Sequence, residues 1–222
     1  MAHAFAQEGC KLVLAARRAD RLEAMAKLIG DNGGEALARR TDVSQEDDVA
    51  GLFNDTLERF GGVDILVNSA GIADDVPIEA LSLERWREIL DANLTSAFLC
   101  SREAFKIMKR RERGRIINIG STSAKVPRFD SPAYSASKWG MDGLTRSMAI
   151  DGRKFGIAVS ILHPGSTVSE LSPHAANATP GREAMAAEDI GRIVLLMASL
   201  PDGTNLHEAL VLPLDMPFLG RG

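Results

Sequence analysis

Five short apolar runs, separated by longer amphipathic ones, constrain this chain more than any other feature of it. "KLVLAA" (11–16), "VDILVNSAG" (63–71), "GRIINIGS" (114–121), "GIAVSILHPG" (156–165) and "EALVLPL" (208–214) are bounded by Gly, Pro or Asn and lack strict polar alternation. That is the pattern of strands covered on both faces, as in a parallel sheet. Between them, 19–30, 44–60, 82–113, 134–155 and 187–200 carry the helical period, and "MAHAFAQEG" opens the chain as a further short helix. Ser44 with Asp47 three residues on, and Ser82 before "LERWREIL", read as helix starts. Strand–helix alternation of this kind predicts right-handed crossovers and an α/β fold, a doubly wound, mostly parallel sheet with helices on both faces. With 45% hydrophobic residues, no internal repeat and no linker, residues 1–222 are expected to form one domain with a full core.

The charge balance narrows the partners. A net charge of −4 suits no polyanion, so no nucleic-acid partner is expected. The one basic run, "KIMKRRERGR" (106–115), falls at a helix end, where cations complement the dipole and Gly114 supports the cap. Cys10 and Cys100 lack metal-ligand spacing and follow no signal peptide, and His3, His163, His174 and His207 form no paired-ligand pattern. No apolar stretch approaches the ~18–20 residues that cross a bilayer. A cytoplasmic protein with reduced thiols, no metal and no membrane partner is the expectation.

The only tyrosine in the chain, Tyr134, stands four residues before Lys138 in "SPAYSASKWG". Positions i and i+4 share a helix face, so the ammonium can approach the phenol and favour its ionised form. A free phenol has a pKa of about 10, far from the neutral range in which a general acid–base works best. Ser121, at the end of the run "RIINIGS", belongs at the carboxyl end of a strand, where open α/β sheets bind ligands. Asn93 lies inside a helical pattern, and Asn is an indifferent helix former there, a tolerated polar residue or a local bend.

The set "NSAG" (68–71), Asn93, Ser121, "YSASK" (134–138) and "HPG" (163–165), in this order and spacing, resembles the short-chain dehydrogenase/reductase family over essentially the whole chain. The resemblance implies roles residue by residue. Tyr134 would exchange a proton with the substrate oxygen, Lys138 would lower its pKa and hold the nicotinamide ribose, Ser121 would orient the carbonyl or hydroxyl, and Asn93 would hold a water that passes protons to Lys138. Asn68, Ala70 and Gly71, with Ser69 in place of the usual second Asn, would form a cofactor-binding turn. Asp42 and Val43 would lie against the adenine. Pro164, Gly165 and Thr167, with Ser166 and Val168, would flank the nicotinamide, with Ser169 where the family often has Thr. The activity implied is interconversion of a carbonyl and a secondary alcohol of a small-molecule alcohol or ketone substrate. Ala16 ends the run 11–16 without the carboxylate that would bond an adenosine 2′-hydroxyl. Arg17 and Arg18 follow it, and a guanidinium pairs well with a 2′-phosphate, so NADP(H) is expected, with NAD(H) as the alternative.

The family's Thr-Gly-x-x-x-Gly-x-Gly turn and the strand before it have no counterpart ahead of the helix at Met1. The expectation is a chain lacking that first strand, ~20 residues by family dimensions. Two other readings stay open on this account. One is an inactive remnant that binds no dinucleotide and acts only as a binding or oligomerisation partner. The other is a sugar-nucleotide epimerase, for which the region 169–187 leaves little lid. The stretch 169–189 is expected to form a mobile substrate lid. The tail "LVLPLDMPFLGRG", with Met216, Phe218 and Leu219, is expected to pack on another subunit of a homodimer or homotetramer, or else to fold back on its own domain.

Overall fold

The protein is described by a computed structural model covering residues 1–171 and 177–218. Helix α1 (Ala2–Gln7) leads into strand β1 (Leu12–Ala16), followed by α2 (Ala19–Asp31), β2 (Ala36–Arg40), α3 (Glu46–Phe60), β3 (Ile65–Asn68), α4 (Leu83–Leu90), α5 (Ser96–Arg111), β4 (Gly114–Ile119), α6 (Pro132–Gly152), β5 (Ile157–Pro164), α7 (Ala187–Ser199) and β6 (Glu208–Val211). Every ladder is parallel, which requires the helical crossovers the alternation predicts. β1 pairs with β2, and β3, β4, β5 and β6 pair in that order in a second sheet.

No main-chain ladder joins β1 to β3 among the described residues, so side chains hold the two sheets together. On one face Val13 and Leu66 pack against Val49, Phe53, Leu99 and Met108 of α3 and α5. On the other, Leu12 and Ile65 pack against Phe5 of α1 and Val194 and Met197 of α7. Ile116 and Ile117, neighbours on β4 with no exposed surface, go to opposite faces, as strand alternation demands. Both faces are thus covered, which explains why the strands read as continuous apolar runs.

Several local expectations change. β2 falls in "ALARR", whose two arginines and partial burial conceal a strand. Ser44 does not cap α3. Its hydroxyl donates to Asp42 Oδ1 at 2.7 Å, while Asp48 Oδ2 accepts the Asp42 amide at 2.8 Å and ties the turn to the helix. Ser82 does cap α4, its hydroxyl accepting from the Arg85 amide at 3.1 Å. Gly114 is no cap for α5: Glu112 takes the left-handed conformation (φ 50°), and Gly114 opens β4 where a Cβ would run into Met108. The long helix 82–113 is broken by a π-helical turn over Asp91–Thr95, with Asn93 at its centre. The tail folds back on its own chain. Met216 Sδ accepts from the Ser166 amide at 3.4 Å, and Asp215 pairs with Arg182 at 2.7 Å. Leu219 lies outside the described residues.

Candidate active site

Parallel strands bring their carboxyl ends to one edge, and the residues singled out by sequence sit there. Arg17 and Arg18 follow β1, Asp42 and Val43 follow β2, Asn68 ends β3 before Ala70 and Gly71, Ser121 follows β4, and Pro164 ends β5 before Gly165 and Thr167. Helix α6 crosses behind β4 and β5 and presents Tyr134 and Lys138 from its first turns.

Tyr134 is 5% exposed, with the Ser121 hydroxyl beside its phenol. Burial raises its pKa, against which the Ser121 hydroxyl and the Arg128 cation act. Lys138 is also 5% exposed, and burial lowers its pKa to about 8. Its Nζ donates to the Ile119 carbonyl at 2.9 Å and lies 5.7 Å from the centre of the Tyr134 ring. Burial, rather than the pairing, sets the direction of both shifts. Desolvation dominates both groups, keeping the proton on the phenol and loosening the one on the amine.

Asn93, with no exposed surface, spends its side chain on the protein: Oδ1 accepts from the Ile72 amide at 2.8 Å, and Nδ2 donates to the Ile72 carbonyl and the Ser137 hydroxyl, each at 2.9 Å. It clamps the loop after β3 to α6. Gly71 fits tightly here, since a Cβ would stand 3.1 Å from Asn93 Oδ1 and 3.8 Å from Lys138 Nζ.

Asn68 Nδ2 donates to Ser101 Oγ at 2.9 Å and to Asn118 Oδ1 at 2.8 Å, and Asn118 Nδ2 donates to Thr145 Oγ1 at 2.8 Å. Asn68 and Asn118 are directly opposite in the β3–β4 ladder. This buried chain runs beneath the turn at Ala70 and Gly71. Arg18 is not free: it bonds Glu170 at 2.7 Å, as does Arg21, and the two together hold the Glu170 pKa near 2. The Asp42 carboxyl lies below its usual range, chiefly through the Ser44 hydroxyl and with help from Arg17 and Arg40. Thr167 bridges to Met185, closing the region after β5 on itself, while residues 172–176 of the expected lid lie outside the described residues.

A dinucleotide is a long ligand with a hydroxyl-rich ribose and an anionic centre. The row of strand ends fits its length, and the buried Lys138, bonded to a carbonyl rather than a carboxylate, fits a ribose hydroxyl pair. Arg17 and Arg18 supply cations at the other end.

Sequence reasoning did not find Asn118, Ser137, Thr145, Arg128 or the partly buried ion cluster around His163. Arg128 stacks 5.5 Å from the Tyr134 ring centre and pairs with Asp75 at 3.2 Å. Asp74 beside it is a buried carboxylate with no hydrogen bond, raised in pKa by burial, its nearest cation Arg85 at 3.6 Å. A side chain that works through a neighbour leaves no spacing signal.

Comparison with known proteins bears on this arrangement. Residues 1–179 match the short chain dehydrogenase family. A 3-oxoacyl-[acyl-carrier-protein] reductase from Synechocystis is 36% identical over 178 residues, 80% of this chain and 72% of that protein. A short-chain type dehydrogenase/reductase from Mycobacterium marinum superposes with a TM-score of 0.90 at 28% identity, covering 97% of this chain and 90% of that one. A metagenomic short-chain oxidoreductase in complex with NADP superposes with a TM-score of 0.82 at 31% identity, covering 96% of this chain and 90% of that one.

Proposed function

The chain belongs to the short-chain dehydrogenase/reductase family, and on that premise we propose that it interconverts a small carbonyl compound and a secondary alcohol with NADP(H), Tyr134 exchanging the proton. The observation that carries this is the convergence of Tyr134, Ser121 and Lys138 at the carboxyl end of β4, all three buried, with the Ser121 hydroxyl beside the phenol. When bound, the cofactor supplies or takes the hydride. The chain's own work is placement and proton supply.

A phenol whose pKa burial has raised holds its proton at neutral pH and can donate it to a carbonyl oxygen as charge builds there. The Ser121 hydroxyl beside that phenol would orient the same oxygen. As the phenol gives up its proton, the Lys138 cation near its ring would favour the phenolate. Lys138 and the Asn68–Gly71 turn would hold the ribose, and Arg17 and Arg18 the 2′-phosphate. NADP(H) over NAD(H) is supported by those arginines and by the NADP in the metagenomic relative.

A 3-oxoacyl thioester is a natural first carbonyl to try, given the Synechocystis relative. Exposed Phe98 on α5 and Trp139 and Ile150 on α6 support a homodimer or homotetramer. Among the described residues no helix is long and apolar enough to cross a membrane, and the free thiols of Cys10 and Cys100 support a cytoplasmic setting.

The test is NADPH consumption with an acetoacetyl thioester and a simple methyl ketone, and NADP reduction with a secondary alcohol, for the natural chain and Tyr134→Phe. Phe keeps the ring and removes the proton, so turnover should fall by about 100-fold or more while NADPH binding persists. Turnover of Tyr134→Phe within threefold of the natural chain refutes the assignment.

A further inference from the structure

Behind Ser121 lies a cluster of charges that the catalytic assignment leaves unused. Asp142 and Arg146 of α6, Glu208 of β6, Lys125 just past Ser121, and His163 of β5 meet there. Asp142, His163 and Glu208 bring ligand atoms within 4.8 Å of one another, the arrangement of a metal site. Its cation is already present. Lys125 Nζ lies 2.6 Å from both Asp142 Oδ2 and Glu208 Oε1, and Arg146 takes the other oxygens at 3.0 and 2.6 Å.

His163 is the inner wall of this cluster, with no exposed surface. Its Nδ1 lies 3.3 Å from the Ser121 amide nitrogen and 2.9 Å from the Ser121 carbonyl oxygen. The carbonyl already accepts from the Ala124 amide at 3.0 Å. The buried Ser121 N–H points at Nδ1, so satisfying it requires an unprotonated Nδ1 and a proton on Nε2. That Nε2 has no hydrogen-bond partner and faces Glu208 Oε1 at 3.7 Å. Gly120 is what lets the ring come so close, since a Cβ there would stand 2.6 Å from Nδ1.

We propose that His163 is a positioning residue for the reaction: as neutral imidazole it accepts the Ser121 N–H and fixes the main chain from which the Ser121 hydroxyl reaches substrate, while the Lys125–Asp142–Glu208–Arg146 cluster holds the ring in place. This rests on the reading of Ser121 given above. Protonation undoes the device, because an imidazolium has no lone pair for the Ser121 amide. Burial is the largest influence and lowers the His163 pKa, the Ser121 main chain opposes it, Lys125 acts with burial, and Asp142 and Glu208 act against it. The accepting form therefore prevails at neutral pH and is lost as pH falls through a value below the ordinary ~6.5.

His163→Asn keeps an uncharged acceptor at the Nδ1 position, and His163→Leu removes it. Two readouts separate this proposal from the activity it rests on. In amide NMR spectra of the natural chain, the Ser121 N–H resonance should follow the titration of the His163 ring. It should keep a bonded shift in His163→Asn without titrating, and move upfield in His163→Leu. With NADPH and an acetoacetyl thioester, His163→Leu should lose about 10-fold or more in kcat with the NADPH KM little changed. His163→Asn should restore most of that and lose the acid limb attributable to the ring. A Ser121 amide indifferent to both the ring's titration and His163→Leu overturns the proposal. So does His163→Asn as impaired as His163→Leu in a folded protein. Absence of turnover in the natural chain would sink the reductase reading and leave the amide measurement to decide this one.

Discussion

Replacing Asn93 by Ala removes three hydrogen bonds at once: two to the main chain of Ile72 and one to Ser137 Oγ. A neutral buried bond contributes about 0.5–1.5 kcal/mol net, so the three together amount to about 3 kcal/mol. Ser137 keeps its own bond to the Tyr134 carbonyl at 2.7 Å, which limits the loss at that end. For a chain of this size about 2–4 °C accompanies each kcal/mol, so the melting temperature should fall by roughly 6–12 °C. Urea unfolding should show a lower midpoint at constant slope. Asn93→Asp adds a diagnostic. A carboxylate retains the acceptor for the Ile72 amide and loses both donors, in a site with no exposed surface. Its pKa is thereby raised, so the destabilisation is present above that folded value and is relieved as pH falls through it, when the protonated carboxyl regains a donor. At pH 7 Asn93→Asp should be at least as unstable as Asn93→Ala, and the order should reverse in mild acid. A loss below about 1 kcal/mol for Asn93→Ala would refute the clamp, for that is the worth of a single bond.

Lys138→Met should abolish turnover and yet stabilise the free protein. The folded pKa of about 8 lies below the ordinary 10.5, so burial penalises the ammonium fully below pH 8, and the penalty fades as pH rises from 8 to 10.5. The gain at pH 7 is up to about 3 kcal/mol and should vanish near pH 11. A less stable Lys138→Met at pH 7 would contradict this. Glu170→Gln frees Arg18 and Arg21 from their carboxylate, and should tighten NADPH binding in fluorescence titration while leaving NADH unchanged. Equal shifts for both coenzymes would mean that the arginines do not meet the phosphate.

Most of the sheet was readable because its strands are covered on both faces, so β1, β4 and β5 survive as unbroken apolar runs. β2 was not, because its side chains are only partly buried and end in Arg39 and Arg40. The π-turn at Asn93 was foreshadowed only as a bend, since the extra residue in a helical turn changes no composition. Tyr134, Lys138 and Ser121 were legible from helix spacing and a strand terminus. The clamp on Ile72, the Asn68–Asn118–Thr145 chain and the hold of His163 on Ser121 were not. They depend on which distant parts of the chain the fold brings side by side.

The spread of the candidate site over both ladders has a thermodynamic side. Arg17, Arg18, Asp42 and Val43 ride on the β1–β2 sheet, whereas Ser121, Tyr134, Lys138 and Gly165 ride on the four-stranded one. A dinucleotide bound as proposed touches both. At a concentration 100-fold above its dissociation constant it would add about 2.7 kcal/mol that opening must overcome. The ligand would then tie the strand ends of both sheets to one another, so that opening either one must first release it.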